Sequence, residues 1–178
     1  MGRAADEPST LFIGVDANHA GLIDTSRRAA ARGNVRFVLG SLDSLPGVFA
    51  GRADSVSILF PWGSLLQAVA SAEPEQLAKI AGTCRSSATI EVVTAIEPAA
   101  DTTELARLGL GGFSVEAMLA GWRAQGFLAE LEELPAGHAY QTTWWRKIRS
   151  RPGRTAYRLT AFVPASADSA RGSGATWG

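Results

Sequence analysis

Phe60-Pro61-Trp62-Gly63 ends an apolar run with a tryptophan, where a buried strand ordinarily gives way to small polar turn residues. Proline fixes φ and cannot continue a sheet ladder. Glycine takes positive φ or admits a close neighbour. Trp62 therefore stands on a rigid turn, either packed under an adjoining loop or facing a planar ligand, and stacking on a base is worth about 1–3 kcal/mol. Far downstream, Trp144 and Trp145 directly precede Arg146, Lys147, Arg149, Arg151, Arg154 and Arg158 in an otherwise neutral chain. Paired aromatics beside clustered cations make a surface that stacks bases and grips phosphates. The competing reading is a solvated helix face. Two adjacent tryptophans argue against it, because a regular segment turns one of them away from the core.

Two carboxylates add to this set. Asp16 closes Ile13-Gly14-Val15-Asp16, where it could accept both hydroxyls of a ribose or cap the following helix. Asp43 ends Gly40-Ser41-Leu42-Asp43, where it could accept from the exocyclic amine of an adenine or belong to a plain turn.

These residues need elements to hold them. LFIGVDA (11–17), NVRFVLG (34–40), DSVSILF (54–60), ATIEVVTA (88–95) and TAYRLTAFVP (155–164) read as strands, and FLAELEEL as a further candidate. HAGLIDTSRRAAARG reads as a helix with Gly33 as its C-cap. GSLLQAVA begins another helix, which PEQLAKIAGTC continues or restarts with Pro74 in a first turn. In FSVEAMLAGWRAQGF, Ser114 is an N-cap, and Val115, Met118, Leu119 and Trp122 form an apolar stripe directed at the core. EPAADTTELARLGLGG is irregular, with room for a short helix. Strands alternating with helices imply an open, mostly parallel α/β sheet, in which ligands bind beyond the carboxyl ends of the strands. Asp16, Asp43 and Trp62 all fall at such ends.

With 17 Lys+Arg against 17 Asp+Glu, no global field attracts a polyanion, so nucleic-acid binding has to come from a local patch. One cysteine, Cys84, excludes an internal disulfide and reads as a small core residue. No apolar stretch approaches the roughly 18 residues that span a membrane. MGRAADEPST lacks the apolar core of a signal peptide. A cytoplasmic protein is expected.

The stretches LFIGVDA, LDSLP, SVSILFPWGSLL and TTWWRKI, followed by GR and YRLTAF, resemble the aminoglycoside-resistance methyltransferases. These methylate N1 of an adenine in the decoding site of 16S rRNA in the small (30S) ribosomal subunit. The likeness runs from Leu11 to Val163, with the motifs in the same order and spacing. It implies a class I, Rossmann-like α/β sheet using S-adenosyl-L-methionine (SAM) and acting on 16S rRNA; no metal is expected, and a monomer is expected because the RNA surface must reach a folded subunit. By this resemblance Asp16 binds the cofactor ribose, Ser41, Leu42 and Asp43 surround its adenine, and Leu59 and Ser64 lie near the reacting centre. Trp62 and Trp144 sandwich the flipped target base. Thr142, Lys147 and Arg154 belong to the RNA-binding surface, which Arg149 and Arg151 extend. The family pattern has no tryptophan at the position of Trp145. N1 of neutral adenine already carries a lone pair, so no strong general base is needed, and His19 and His138 fall outside every motif.

The family also has a first strand and a DxGxGxG turn ahead of the strand matching LFIGVDA. Only MGRAADEPST precedes that strand here, so an N-terminally truncated sheet is expected. Two origins are open: a fragment of a longer protein, or a truncated relative that binds ribosomal RNA without efficient chemistry. A methyltransferase acting on a small molecule is a third reading, and it predicts no effect of neutralising Arg149, Arg151 and Arg154. The expected organisation is a residual segment 1–10, a methyltransferase-like domain 11–164, and a disordered Ser/Ala/Gly-rich tail 165–178.

Overall fold

A computed structural model describes residues 3–135, 145 and 154–163. The elements run α1 (Arg3–Asp6), β1 (Phe12–Asp16), α2 (His19–Ala29), β2 (Val35–Leu39), and short 3-10 turns at Leu42–Ser44 and Gly47–Phe49. They continue with β3 (Ala53–Leu59), α3 (Gly63–Ala70), α4 (Pro74–Thr83), β4 (Cys84–Thr94), α5 (Thr102–Arg107), α6 (Val115–Ala124), β5 (Leu128–Leu134) and β6 (Ala156–Phe162).

The α/β alternation holds, but the strands form two sheets. β1 and β2 pair in parallel, with Asp16 opposite Leu39. The second sheet has the order β3-β4-β6-β5. β3 and β4 are parallel, while β6 runs antiparallel to both β4 and β5. Among the described residues, β1 and β3 each have a strand on one side only. Residues ahead of β1 also pack: Ala4 is buried against Ala29 and Val35, and the Asn34 side-chain amide donates to the carbonyls of Ala4, Glu7 and Thr10.

One face of the four-stranded sheet carries the core. Ile58, Ile90, Val92, Leu159 and Ala161 meet Val69 of α3, Leu77 and Ile80 of α4, and Met118 and Trp122 of α6. Trp122 is fully buried, and its indole N–H donates to the carbonyl of Val69 at 2.9 Å. α6 starts as its sequence predicts, with Ser114 Oγ accepting from the Ala117 amide at 3.1 Å. Its Gly121 permits a close approach, since a Cβ there would meet Ala72 Cβ at 2.7 Å. α3 and α4 are separate because Ala72 turns left-handed (φ 51°) and Pro74 opens a new first turn. α2 ends at Ala29, several residues before the Gly33 stop that its sequence suggests. Cys84 is buried, and burial pushes its thiol pKa up, as befits an inert core residue. The opposite sheet face is polar: Ser55, Ser57, Thr89, Glu91 and Thr160 flank Arg158, which pairs with Glu132 and lies 3.7 Å from Glu91.

A tryptophan turn and its anchors at the strand ends

The turn after β3 alternates sides residue by residue. Phe60 donates its amide to the carbonyl of Val93 at 2.8 Å and is buried, although its φ of 53° is unfavourable for a bulky residue. Pro61 is buried too. Trp62 then emerges with 45% of its surface exposed, in extended backbone at the N-cap of α3. Gly63 follows at φ 59°, a conformation glycine adopts without penalty. The left-handed Phe60 is therefore what drives its own ring inward and delivers Trp62 outward. Of the two fates open to Trp62 in the sequence, the structure places it at the surface. Leu59, 37% exposed, and Ser64, exposed in the first turn of α3, flank it.

Glu104 of α5 lies beside the start of α3. Its carboxyl is held below the usual range first by Arg107, which donates to it at 2.6 and 2.8 Å, and also by the backbone N–H of Gly63. An acidic group is thereby set at the start of α3, where the helix dipole favours negative charge.

Beneath the turn lies a small aromatic seat. Trp145 is 6% exposed and stacks on Phe60, with ring centroids 5.5 Å apart and planes inclined by 20°. Val93, Ala95, Leu134 and Ala156 complete the cluster. These residues come from the ends of β4 and β5 and the start of β6, so the seat closes the same end of the sheet as the Trp62 turn.

Arg154 lies at the foot of the β5–β6 connection, and it points inward. Its Nη1 donates to Ala95 O at 2.8 Å and to Asp101 Oδ2 at 2.7 Å, and its Nη2 donates to Asp101 Oδ1 at 2.6 Å. The two side chains are only 7% and 6% exposed. Asp101 raises the guanidinium pKa further, and its Oδ2 also accepts the amide of Glu97 at 3.0 Å. Sequence reasoning put Arg154 among the RNA-facing cations; in the structure three of its five N–H donors go to Ala95 O and to a buried fork-to-fork pair with Asp101.

The second group of predicted residues gathers beyond β1 and β2. Asp16 is exposed at the end of β1, and its Oδ1 accepts the amide of Asn18 at 2.9 Å. The capping role falls to Asn18, whose Oδ1 takes the amide of Gly21. Ser41 and Ser44 close a reciprocal turn around Leu42 and Asp43, with the Ser41 amide donating to Ser44 Oγ at 2.8 Å. Leu42 packs on the main core. Asp43 Oδ1 accepts from Lys79 at 2.7 Å and from Gln76 at 3.3 Å, tying this turn to α4. Those bonds hold the Asp43 carboxyl below its ordinary value. Trp144, Thr142, Lys147, Arg149 and Arg151 lie outside the described residues.

Asp101 and Glu104 escaped sequence reasoning. Their signal was an acidic residue followed three positions later by Glu, the pattern of a helix start. It announces α5 but not partners distant in sequence.

The chain is similar to proteins of one known family. Residues 1–163 match the family described as NpmA, 16S rRNA (adenine(1408)-N(1))-methyltransferase. A 16S rRNA (adenine(1408)-N(1))-methyltransferase of Escherichia coli is 28% identical, across 90% of this chain and 80% of its own length. The aminoglycoside resistance methyltransferase NpmB1 superposes with a TM-score of 0.71 at 32% identity, covering 90% of this chain and 79% of that one. The 16S rRNA methyltransferase KamB shares the fold, with a TM-score of 0.79 at 24% identity over 92% and 81%. On the strength of a match that takes in the tryptophan turn, the strand-end carboxylates and both anchors, the chain belongs to the 16S rRNA (adenine(1408)-N(1))-methyltransferase family.

Proposed function

We propose that this enzyme transfers the methyl group of SAM to N1 of adenine 1408 in the 16S rRNA of the small ribosomal subunit, acting as a cytoplasmic monomer and conferring aminoglycoside resistance. The observation that carries the reading is Trp62: an exposed indole on a turn that the buried Phe60 and Pro61 hold in place, at the strand end where α/β proteins bind ligands. N1 of a stacked, paired adenine is hidden in its pairing edge, so the base has to leave the helix at a cost of a few kcal/mol. Stacking between Trp62 and Trp144 offsets much of that cost. A turn fixed in advance also loses little freedom when the base arrives.

The residues present fit the nucleoside end of the cofactor. Asp16 offers an exposed carboxylate not used as a helix cap, and the Ser41–Ser44 turn lies beside it because Asp16 faces Leu39 across the β1–β2 pair. When bound, SAM supplies an electrophilic methyl group, and the electron pair that takes it is N1's own. The chain's task is therefore positioning rather than proton removal. Leu59 and Ser64 border the place where the base would sit. Thr142, Lys147, Arg149 and Arg151 supply the phosphate contacts, and Arg154 keeps its connection seated through Asp101.

The test is methyl transfer from labelled SAM to small ribosomal subunits, mapped by reverse transcription. N1 methylation blocks pairing, so a stop is expected opposite adenine 1408, absent with Trp62→Ala, whose SAM affinity should be retained. A stop at another nucleotide, or parallel loss of SAM binding and transfer in Trp62→Ala, would overturn the reading.

A further inference from the structure

We propose that Gly14 and Phe37 are positioning residues for the nucleoside of the cofactor: the Phe37 ring, laid over Gly14, holds β1 against β2 at the register and spacing that set Asp16 beside the Ser41–Ser44 turn. The inference rests on the SAM reading above and adds two residues to which that reading gives no task. Gly14 and Phe37 are direct partners across the parallel pair, two positions before Asp16 and its partner Leu39. A Cβ at Gly14 would meet Cδ1 and Cε1 of the Phe37 ring at 2.7 Å each. The ring therefore occupies the space of the side chain that glycine lacks, the close approach that a glycine inside a strand signals. The same ring packs against the cluster of Ala4, Ala29 of α2 and Val35, so it ties the strand pair to the helix that follows Asp16.

Within β1 only Gly14 lacks a Cβ, so the ring has one seat along the strand. A slip of one residue would exchange the two faces of β1. A slip of two would carry Asp16 about 6.6 Å along β2 and set the ring over Phe12 or Asp16, where a side chain already stands. In the observed register the Asp16 carbonyl accepts the Gly40 amide at 3.1 Å. The Ser41–Ser44 turn follows directly on one strand, and on the other Asn18 donates its amide to Asp16 Oδ1 at 2.9 Å. The seat thus lies two residues from both groups that the reading assigns to the nucleoside.

The experiment compares Gly14→Ala, Phe37→Leu and the double variant with Asp16→Ala in the full chain, at a temperature where circular dichroism shows each variant folded. Equilibrium dialysis with labelled SAM gives cofactor affinity, and turnover on small subunits at saturating SAM is measured separately. Gly14→Ala pushes the ring off its seat and should weaken SAM binding by about tenfold, roughly the loss of one hydrogen bond to a charged group. Its turnover at saturating SAM should change by less than about threefold, because only ground-state binding is lost. Phe37→Leu leaves a gap over Gly14 and should weaken SAM in the same direction. The double variant should bind SAM more tightly than either single variant, since the shorter side chain makes room for the new methyl and the methyl fills the gap. Parent-like SAM affinity in Gly14→Ala, or a double variant no better than Gly14→Ala, would overturn the assignment. If Asp16→Ala weakens SAM while Gly14→Ala does not, the nucleoside reading stands and the ring only packs the fold. If Asp16→Ala keeps the parent's affinity, or the parent binds no SAM, the nucleoside reading itself falls, and the Gly14–Phe37 assignment with it.

Discussion

Replacing Asp101 with alanine separates the two accounts of Arg154. In the structure the pair is bidentate at 2.6 and 2.7 Å, with both side chains at least nine-tenths buried. Removing one partner of such a pair leaves a buried charge uncompensated and costs about 3–5 kcal/mol. The amide of Glu97 loses its acceptor as well. Set against a total stability of roughly 5–15 kcal/mol, that is a large fraction. For a chain of this size each kcal/mol moves Tm by about 2–4 °C, so the melting temperature should fall by roughly 6–20 °C. Thermal melts followed by circular dichroism measure it. A buried pair is little screened, so the loss should persist at high salt. Asp101→Leu combined with Arg154→Met should regain much of it, because an apolar pair of similar volume can replace a buried ion pair. Suppose instead that Asp101→Ala melts within about 2 °C of the parent, while Arg154→Met leaves Tm alone and flattens the salt dependence of subunit binding by about one phosphate contact. Arg154 would then be an RNA contact, and the argument from its buried geometry would be refuted.

Glu104→Gln, which keeps shape but removes charge from the start of α3, should slow methyl transfer to small subunits while leaving SAM affinity unchanged by equilibrium dialysis; equal loss of both would mean that Glu104 supports the whole fold rather than the tryptophan turn. Asp43 has its carboxyl pKa depressed by the bonds from Lys79 and Gln76, so its contribution to stability is complete above the unfolded carboxyl value of about 3.9 and is lost as pH falls through the lower folded value. The gap in urea midpoint between parent and Asp43→Asn should therefore be steady from about pH 7 to 5 and shrink below about 4, and a gap that widens in acid would contradict the assigned sign.

The elements were largely legible because their apolar spacing is strong. The α6 stripe and its Ser114 cap appear as read, and β3 and β6 show inward–outward alternation in sequence and structure alike. β4 begins at Cys84 rather than near Ala88, since an irregular register between Ala53 and Ser55 lets polar residues such as Arg85 and Ser86 join it. What could not be read was which side of a turn each aromatic takes. Trp62 and Trp145 look alike in sequence. The backbone sign at Phe60 separates them, and nothing in Phe-Pro-Trp-Gly announces a left-handed phenylalanine. The surroundings of Arg154 were hidden for a related reason. A guanidinium in a cationic run has the composition of a phosphate contact, and only the return of Asp101 in space shows where its donors are used. Asp16 became clearer in the structure, because Asn18 takes the capping role that competed for it.

Leu134 and Ala156 sit directly opposite each other on adjacent antiparallel strands. Such partners have Cα atoms about 4.5–5.5 Å apart. Everything between them leaves and re-enters the fold at nearly one point, so its length and content can change without altering the sheet. That makes the connection an exchangeable module in the engineering sense: a foreign stretch could be grafted there between the same two strand ends. The graft would have to bring its own two fasteners, an aromatic ring for Phe60 and a guanidinium for Asp101. A donor stretch chosen only for its surface cations would arrive with nothing to hold it down.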